Sequence, residues 1–150
     1  MNEFSSVDDV LDFAIAGERE AQEFYQGLAD RATPADKTLF EDFVAEERMH
    51  EERLLEIKAG GKLLDAQAKV MDLKIGDYLV DVEATPDMSL QDALIVSMKK
   101  EKQAFRLYTD LAKATADSEL KKTFLGLAQE EAKHKLFFEL QYDERILTQN

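Results

Sequence analysis

The chain has 150 residues, which is the length of one domain with a core of its own. It contains no cysteine, which excludes disulfide bonds, thiolate zinc sites and four-cysteine iron sites within these residues. The formal net charge of -13 argues against nucleic acids and anionic membranes as partners. Because the sequence shows neither a long apolar run nor a signal peptide, we expect a cytoplasmic protein.

Four long helices are predicted in chain order, since the stretches between the two prolines and six glycines are rich in good helix formers. Ser6, Thr33 and Ser89 are candidate N-caps, and Pro34 suits the first helical position after Thr33. Gly60-Gly61 is a stop signal for the second helix. The predicted helices cover residues 7–31, 34–59 and 90–114, and the fourth starts near Asp117 or Ser118 and ends near Ile146.

The connections between these helices predict the topology. Short loops join the first helix to the second and the third to the fourth, so each pair should form an antiparallel hairpin. The connection from Gly60 to Met88 is too long for a turn, and residues 66–80 within it are a candidate short helix. We therefore predict a single all-α domain over residues 1–150, a ferritin-like four-helix bundle with hairpins at 7–59 and 89–147 and a crossover at 60–88.

Each helix carries an apolar stripe that charged or polar residues interrupt at mid-length. Four carboxylates on core faces would repel one another, so their burial requires protons or cations between them. The apolar positions of the stripes are Val7, Leu11, Ala14, Ala21, Tyr25 and Leu28; Phe40, Phe43, Leu54 and Ile57; Leu94, Met98, Phe105, Tyr108 and Ala112; and Leu120, Phe124, Leu127 and Phe138.

The interruptions follow one pattern in both hairpins. Glu18 stands seven residues before Tyr25, and Glu101 stands seven residues before Tyr108. The second and fourth helices each contain Glu-Glu-x-x-His, in AEERMHEE and QEEAKHKL. This matched spacing predicts a duplicated hairpin with approximate two-fold symmetry.

The repeated pattern predicts a site for two metal ions. In Glu-x-x-His the side chains lie one turn apart on the same face of the helix, so the glutamate can bridge two ions while the histidine binds one. Ferritin-like bundles bind a pair of iron or manganese ions in a recurring arrangement. Two helices each contribute one glutamate, and the other two each contribute a Glu-x-x-His motif. Ligands without sulfur suit iron or manganese, and zinc is also compatible. The predicted ligands are Glu18, Glu47, His50, Glu101, Glu131 and His134.

Four residues near the motifs have two interpretations each. Glu46 and Glu130 point about 100° away from the motif glutamates, which predicts contact with solvent or with a metal ligand. Tyr25 and Tyr108 are core residues by type, and a hydrogen bond from each hydroxyl group to a ligand carboxylate is an equally open prediction.

The two Glu…Tyr helices and the two Glu-x-x-His helices resemble the rubrerythrin branch of the ferritin-like superfamily over nearly the whole chain. The resemblance implies a non-haem di-iron centre held by the six predicted ligands, an iron pair that reacts with peroxide or dioxygen, and a homodimer. Two features depart from that family. The sequence has no cysteine for a rubredoxin-like iron site, so a separate protein must donate electrons. The extra carboxylate usual one turn from Glu101 is missing, since Met98 and Ala104 flank it.

Three functions stay open at this point. The first is an oxidoreductase that reduces peroxide or dioxygen at the metal pair. The second is iron oxidation or storage, and the third is a structural bundle that metal stabilises without turnover. If the protein is an oxidoreductase, Glu47 and Glu131 are the candidate bridging ligands. Glu18 and Glu101 are then the terminal ligands, and His50 and His134 each bind one ion.

Overall fold

The computed structural model describes residues 4–80, 82, 84–85 and 87–145. The helices are α1 (Val7–Arg31), α2 (Pro34–Gly60), α3 (Gln67–Met71), α4 (Leu90–Ala114) and α5 (Ser118–Arg145). The four long ones confirm the prediction of an all-α bundle. None of the helices in the described part of the chain has an apolar stretch long enough to cross a bilayer. The predicted helix end at Ile146, the hairpin limit at 147 and the domain limits at 1 and 150 lie outside the described residues.

Capping side chains set the starts of the long helices. The predicted caps Ser6, Thr33 and Ser89 each accept a hydrogen bond from the backbone N–H three residues on. For α5 the cap is Asp117, whose Oδ1 accepts from the Leu120 N–H at 2.9 Å. Helix α2 ends before Gly61, whose φ of 69° lies in the left-handed region that glycine adopts without strain.

Two hairpins and their crossover build the bundle. Helix α1 packs along α2, and α4 packs along α5, whereas α1 meets α4 and α2 meets α5 at far fewer points. Tyr25 of α1 contacts Glu101 of α4, and Tyr108 contacts Glu18, so α1 and α4 are antiparallel. The end of α2 and the start of α4 therefore lie at opposite ends of the bundle. The crossover connects them through α3 and two 3-10 turns, Lys62–Ala66 and Ile75–Tyr78.

The core consists of two apolar clusters, one towards each end of the bundle. One cluster contains Leu11, Leu54, Leu111 and Phe124 among its members, and the other contains Tyr25, Phe43, Leu94 and Phe138. In sequence, the predicted metal ligands lie between the residues that each helix gives to the two clusters. The bundle is thus apolar on both sides of a polar middle layer.

One predicted core residue is exposed. Phe105 was placed on the apolar stripe of α4, but 39% of its surface is accessible, so that prediction is wrong. The fully buried residues of α4 include Val96, Ser97 and Leu111, which shifts the buried face away from Phe105. At about 100° per residue, Phe105 then lies at the edge of that face.

Candidate metal centre

All four long helices contribute to a cluster of acidic and imidazole side chains at mid-length. Each of these residues is at most 4% exposed, so its charged group is largely removed from water. The cluster consists of Glu18 from α1, Glu47 and His50 from α2, Glu101 from α4, and Glu131 and His134 from α5. The structure therefore brings together every residue that the sequence predicted as a metal ligand.

The six side chains form two overlapping groups of four. Glu18, Glu47, His50 and Glu131 each offer one ligand atom, and these atoms all lie within 4.8 Å of one another. The second group contains Glu47, Glu101, Glu131 and His134, whose ligand atoms also lie within 4.8 Å of one another. Glu47 and Glu131 belong to both groups, so their carboxylates lie between two positions that an ion could take. Each position has one imidazole.

The histidines turn their Nδ1 atoms towards the carboxylates. His50 Nδ1 lies 2.6 Å from Glu131 Oε1, and His134 Nδ1 lies 3.2 Å from Glu47 Oε1. The two rings are nearly parallel, at 17°, with centroids 6.4 Å apart. This arrangement makes Nδ1 the atom of each ring that is available to an ion.

The other ring nitrogen of each histidine contacts a glutamate of the opposite hairpin. His50 Nε2 contacts the Glu130 carboxylate, and His134 Nε2 contacts the Glu46 carboxylate. A carboxylate that accepts the Nε2–H bond fixes the tautomer and leaves the Nδ1 lone pair for a metal ion. The sequence predicts that Glu46 and Glu130 contact either solvent or a metal ligand. In the structure both apply, because each side chain is half exposed and also contacts a histidine.

The two repeated tyrosines also connect the hairpins. Tyr25 Oη donates to Glu101 Oε1, and Tyr108 Oη donates to Glu18 Oε1. Burial, then the charge of the bonded glutamate, raises the pKa of each tyrosine well above its ordinary value, so both hydroxyl groups stay protonated donors. Each tyrosine thereby orients one oxygen of a carboxylate and leaves the other oxygen facing the centre.

Four buried polar atoms of this cluster lack a hydrogen-bond partner among the described residues. They are Glu18 Oε2, Glu47 Oε1, Glu101 Oε2 and His134 Nδ1. A buried polar atom without a partner is destabilising by about 1–3 kcal/mol, and more where the group is charged. All four are lone-pair donors from the two groups, so the residues fit a pair of cations.

Burial and mutual repulsion hold protons on the metal-free cluster. Burial, followed by the nearby carboxylates, raises the pKa of Glu47 and of Glu131 well above the ordinary range. Burial alone would lower the pKa of His134, but the carboxylates of Glu101 and Glu47 outweigh it and raise that pKa to about 11. Protons thus supply the positive charge that the cluster needs when no metal does.

Metal binding should therefore release protons. A ligand atom must lose its proton before it binds an ion, so the protons that the raised pKa values retain near neutral pH are displaced. Metal affinity should accordingly rise as pH rises from about 6 to about 8. Titration calorimetry in two buffers of different ionisation enthalpy measures the release. A heat of binding that does not depend on the buffer would contradict it.

Removing one tyrosine hydroxyl should weaken metal binding. Tyr25→Phe takes the donor from Glu101, and Tyr108→Phe takes it from Glu18. Loss of such a supporting bond typically lowers metal affinity by about 10- to 100-fold. Competition with a chelator measures the affinity, with Tyr142→Phe at the half-buried end of α5 as the control. Equal affinities in the Tyr25 variant and the control would show that the hydroxyl does not orient a ligand.

Comparison with known proteins supports this interpretation. The family model described as Rubrerythrin matches residues 9–142. The fold is similar to that of a Thermotoga maritima protein assigned as a ferritin-like diiron-carboxylate protein, at a TM-score of 0.80 and 22% identity over 97% of this chain and 99% of that chain. The comparison with curated proteins found no match. Since the family model spans most of its length, the chain belongs to the Rubrerythrin family.

Proposed function

We propose that the chain is a non-haem di-iron oxidoreductase that reduces peroxide or dioxygen. The observation that carries the proposal is the pair of overlapping ligand groups. They share Glu47 and Glu131, and four of their buried lone-pair atoms have no hydrogen-bond partner within the described part of the chain. Carboxylate and imidazole donors suit iron, while manganese and zinc are the competing metals. When bound, the reduced iron pair would supply the electrons for the reaction.

The protein residues have separate tasks in this proposal. Glu47 and Glu131 would hold both ions, while Glu18 and Glu101 would each hold one. His50 and His134 would complete the two sites through Nδ1. The tyrosines fix the terminal carboxylates, the half-exposed Glu46 and Glu130 fix the histidine rings, and an apolar cluster flanks the ligand layer on either side.

Electrons would come from a separate donor protein. The 150 residues contain no cysteine, so they cannot form the four-cysteine iron site that would pass electrons within the chain. The half-exposed Glu46 and Glu130 connect the buried histidines to the surface on α2 and α5. We place the contact with the donor near these two carboxylates.

Metal content and turnover test the function together. Protein loaded anaerobically with iron(II) should bind about two ions per chain. Glu47→Ala and Glu131→Ala should each lose both ions, because each glutamate belongs to both groups, whereas His50→Ala should chiefly weaken one site. Glu52→Ala, on the exposed face of α2, is the matched control.

Stopped-flow mixing of the reduced protein with peroxide or dioxygen then separates the reactions. Fast oxidation by peroxide with multiple turnovers in the presence of a reductant supports a peroxidase. Fast oxidation by dioxygen with retention of many ferric ions would instead indicate iron oxidation and storage. A chain that binds two ions but turns over with neither oxidant would leave only the structural role.

The homodimer is a further part of the proposal. Leu125, Leu136 and Leu140 are 48%, 57% and 50% exposed and lie on one face of α5, since their spacing follows the helical repeat. Exposed apolar side chains in such a stripe favour association with a second copy. We place the dimer contact on this stripe.

Light scattering after size-exclusion chromatography tests the dimer. The wild type should have twice the 17.1 kDa mass of one chain, and Leu136→Glu should shift it to the monomer. Phe105→Glu, a similar change at an exposed position of α4, is the control and should stay dimeric. A monomeric wild type would refute this interface, and a large cage would favour storage.

A further inference from the structure

A cavity of about 810 Å³ extends from the candidate metal centre between α1 and α4. Its inner wall includes the carboxylates of Glu18, Glu47, Glu101 and Glu131, which are four of the six candidate ligands. Along α1 the lining runs from Phe13 to Arg31, a length of about 27 Å. The cavity exists because α1 and α4 approach each other at few points, and it offers a direct route from the surface to the centre.

Apolar side chains dominate the wall beyond the carboxylates. The apolar lining includes Phe24 and Leu28 of α1, Ala104 and Leu107 of α4, and Met88. Such a lining favours a ligand with a hydrocarbon body, because contact with it removes apolar surface from water on both partners.

Described residues of the crossover also line the cavity, and hydrogen bonds hold two of them to α1 and α4. The Gln103 side chain donates to the Leu79 carbonyl oxygen at 3.2 Å, and Arg31 donates to the Met88 carbonyl oxygen at 2.8 Å. Val80 and Val82 of the crossover contribute further apolar lining. The cavity is therefore bounded by α1, α4 and the described residues of the crossover.

The wall of the cavity beyond the metal centre carries no net charge. Six glutamates line the cavity, but four of them are candidate ligands whose charge two divalent ions would balance, which leaves Glu20 and Glu23 against Arg31 and Lys100. Lys100 lies 5.9 Å from the centre of the Phe24 ring and 4.0 Å from Glu20, so it already has partners. A neutral ligand therefore fits this wall, and its burial carries no cost of removing a charge from water.

The cavity is far larger than hydrogen peroxide or dioxygen requires. A water molecule takes about 30 Å³ in the liquid, and each of these oxidants has only two oxygen atoms. The observed volume lies within the roughly 300–1,000 Å³ of sites that bind organic ligands. The volume of the cavity, its apolar wall and the charges along it all favour a neutral organic ligand. One polar end of such a ligand would reach the metal centre.

We infer that the preferred oxidant is a neutral alkyl hydroperoxide, whose hydrocarbon chain occupies the cavity between α1 and α4. This inference rests on the proposed function. In this reaction the O–O bond of the hydroperoxide would break, and two electrons and two protons from solvent would convert the molecule into an alcohol and water. Reduced iron, when bound by the six ligands, would supply the two electrons, and the proposed donor protein would restore them.

Leucine substitutions on opposite walls test the inference without removing any ligand. A Cβ atom added to Gly27 of α1 would meet no heavy atom of the described chain within 4 Å, so Gly27→Leu should narrow the cavity and still fold. Ala104→Leu narrows it from α4. Gly126→Leu is the matched control, because Gly126 lies on α5 away from the cavity and is equally unobstructed.

Binding is measured first, with octanol as the probe, since it is the alcohol that the reaction would form. Calorimetry should show that octanol binds the wild type and Gly126→Leu equally well, both metal-free and iron-loaded. Gly27→Leu and Ala104→Leu should bind it about tenfold more weakly or worse. Absence of binding to the wild type, or equal binding to all four proteins, would overturn the inference.

Turnover of the iron-loaded proteins is measured second. The ratio of kcat/KM for octyl hydroperoxide to that for hydrogen peroxide should exceed one in the wild type and fall about tenfold in both cavity variants. A ratio that the variants do not change would overturn the inference. If octanol binds as expected and neither peroxide is reduced, the peroxide-reducing function fails while the cavity remains a site for neutral organic ligands.

Discussion

The burial of four carboxylates and two imidazoles in one layer is the constraint on which the rest of the molecule depends. Each charged group removed from water costs roughly several kcal/mol, while a domain of this kind is stable by only about 5–15 kcal/mol. The layer is therefore compatible with folding only if positive charge enters it. In the metal-free protein, protons on Glu47, Glu131 and His134 provide that charge. Two divalent ions would provide the same positive charge. They would also bind the four buried atoms that have no hydrogen-bond partner among the described residues.

The supporting contacts explain how the layer is held in register. Tyr25 and Tyr108 each bond a glutamate of the opposite hairpin, and Glu46 and Glu130 each contact a histidine of the opposite hairpin. Neither hairpin can orient its own ligands, because every supporting group comes from its partner. Docking of the hairpins and formation of the site are thus one event. Metal binding should therefore stabilise the bundle as a whole.

Local signals predicted the helices and the ligands, and long-range geometry accounts for what they missed. The caps at Ser6 and Ser89 and the Glu-x-x-His motifs depend on residues close in sequence, so spacing alone identifies them. The partners of Glu46 and Glu130 depend on how α2 and α5 cross. The apolar stripe of α4 predicts a buried Phe105, but Phe105 lies at the edge of the buried face. The centre of that face depends on which helices pack against α4, and spacing along the sequence does not determine it. The cavity was not predicted, since it arises from the separation of α1 and α4 and the path of the crossover.

The same separation of α1 and α4 leaves a cavity that continues from the site. Dense packing within each hairpin fixes the ligands, and loose packing between hairpins leaves the space that continues from the centre as the cavity. Ala104 lies on the wall of this space, and it is one of the two residues, with Met98, at the distance from Glu101 where the family resemblance implies a further carboxylate. A carboxylate there would place another charge against the apolar lining and favour small polar oxidants. With alanine at this position, the apolar surface extends to the edge of the centre. The departure from the family pattern thus adds to the apolar lining on which the proposed preference for a hydrocarbon chain depends.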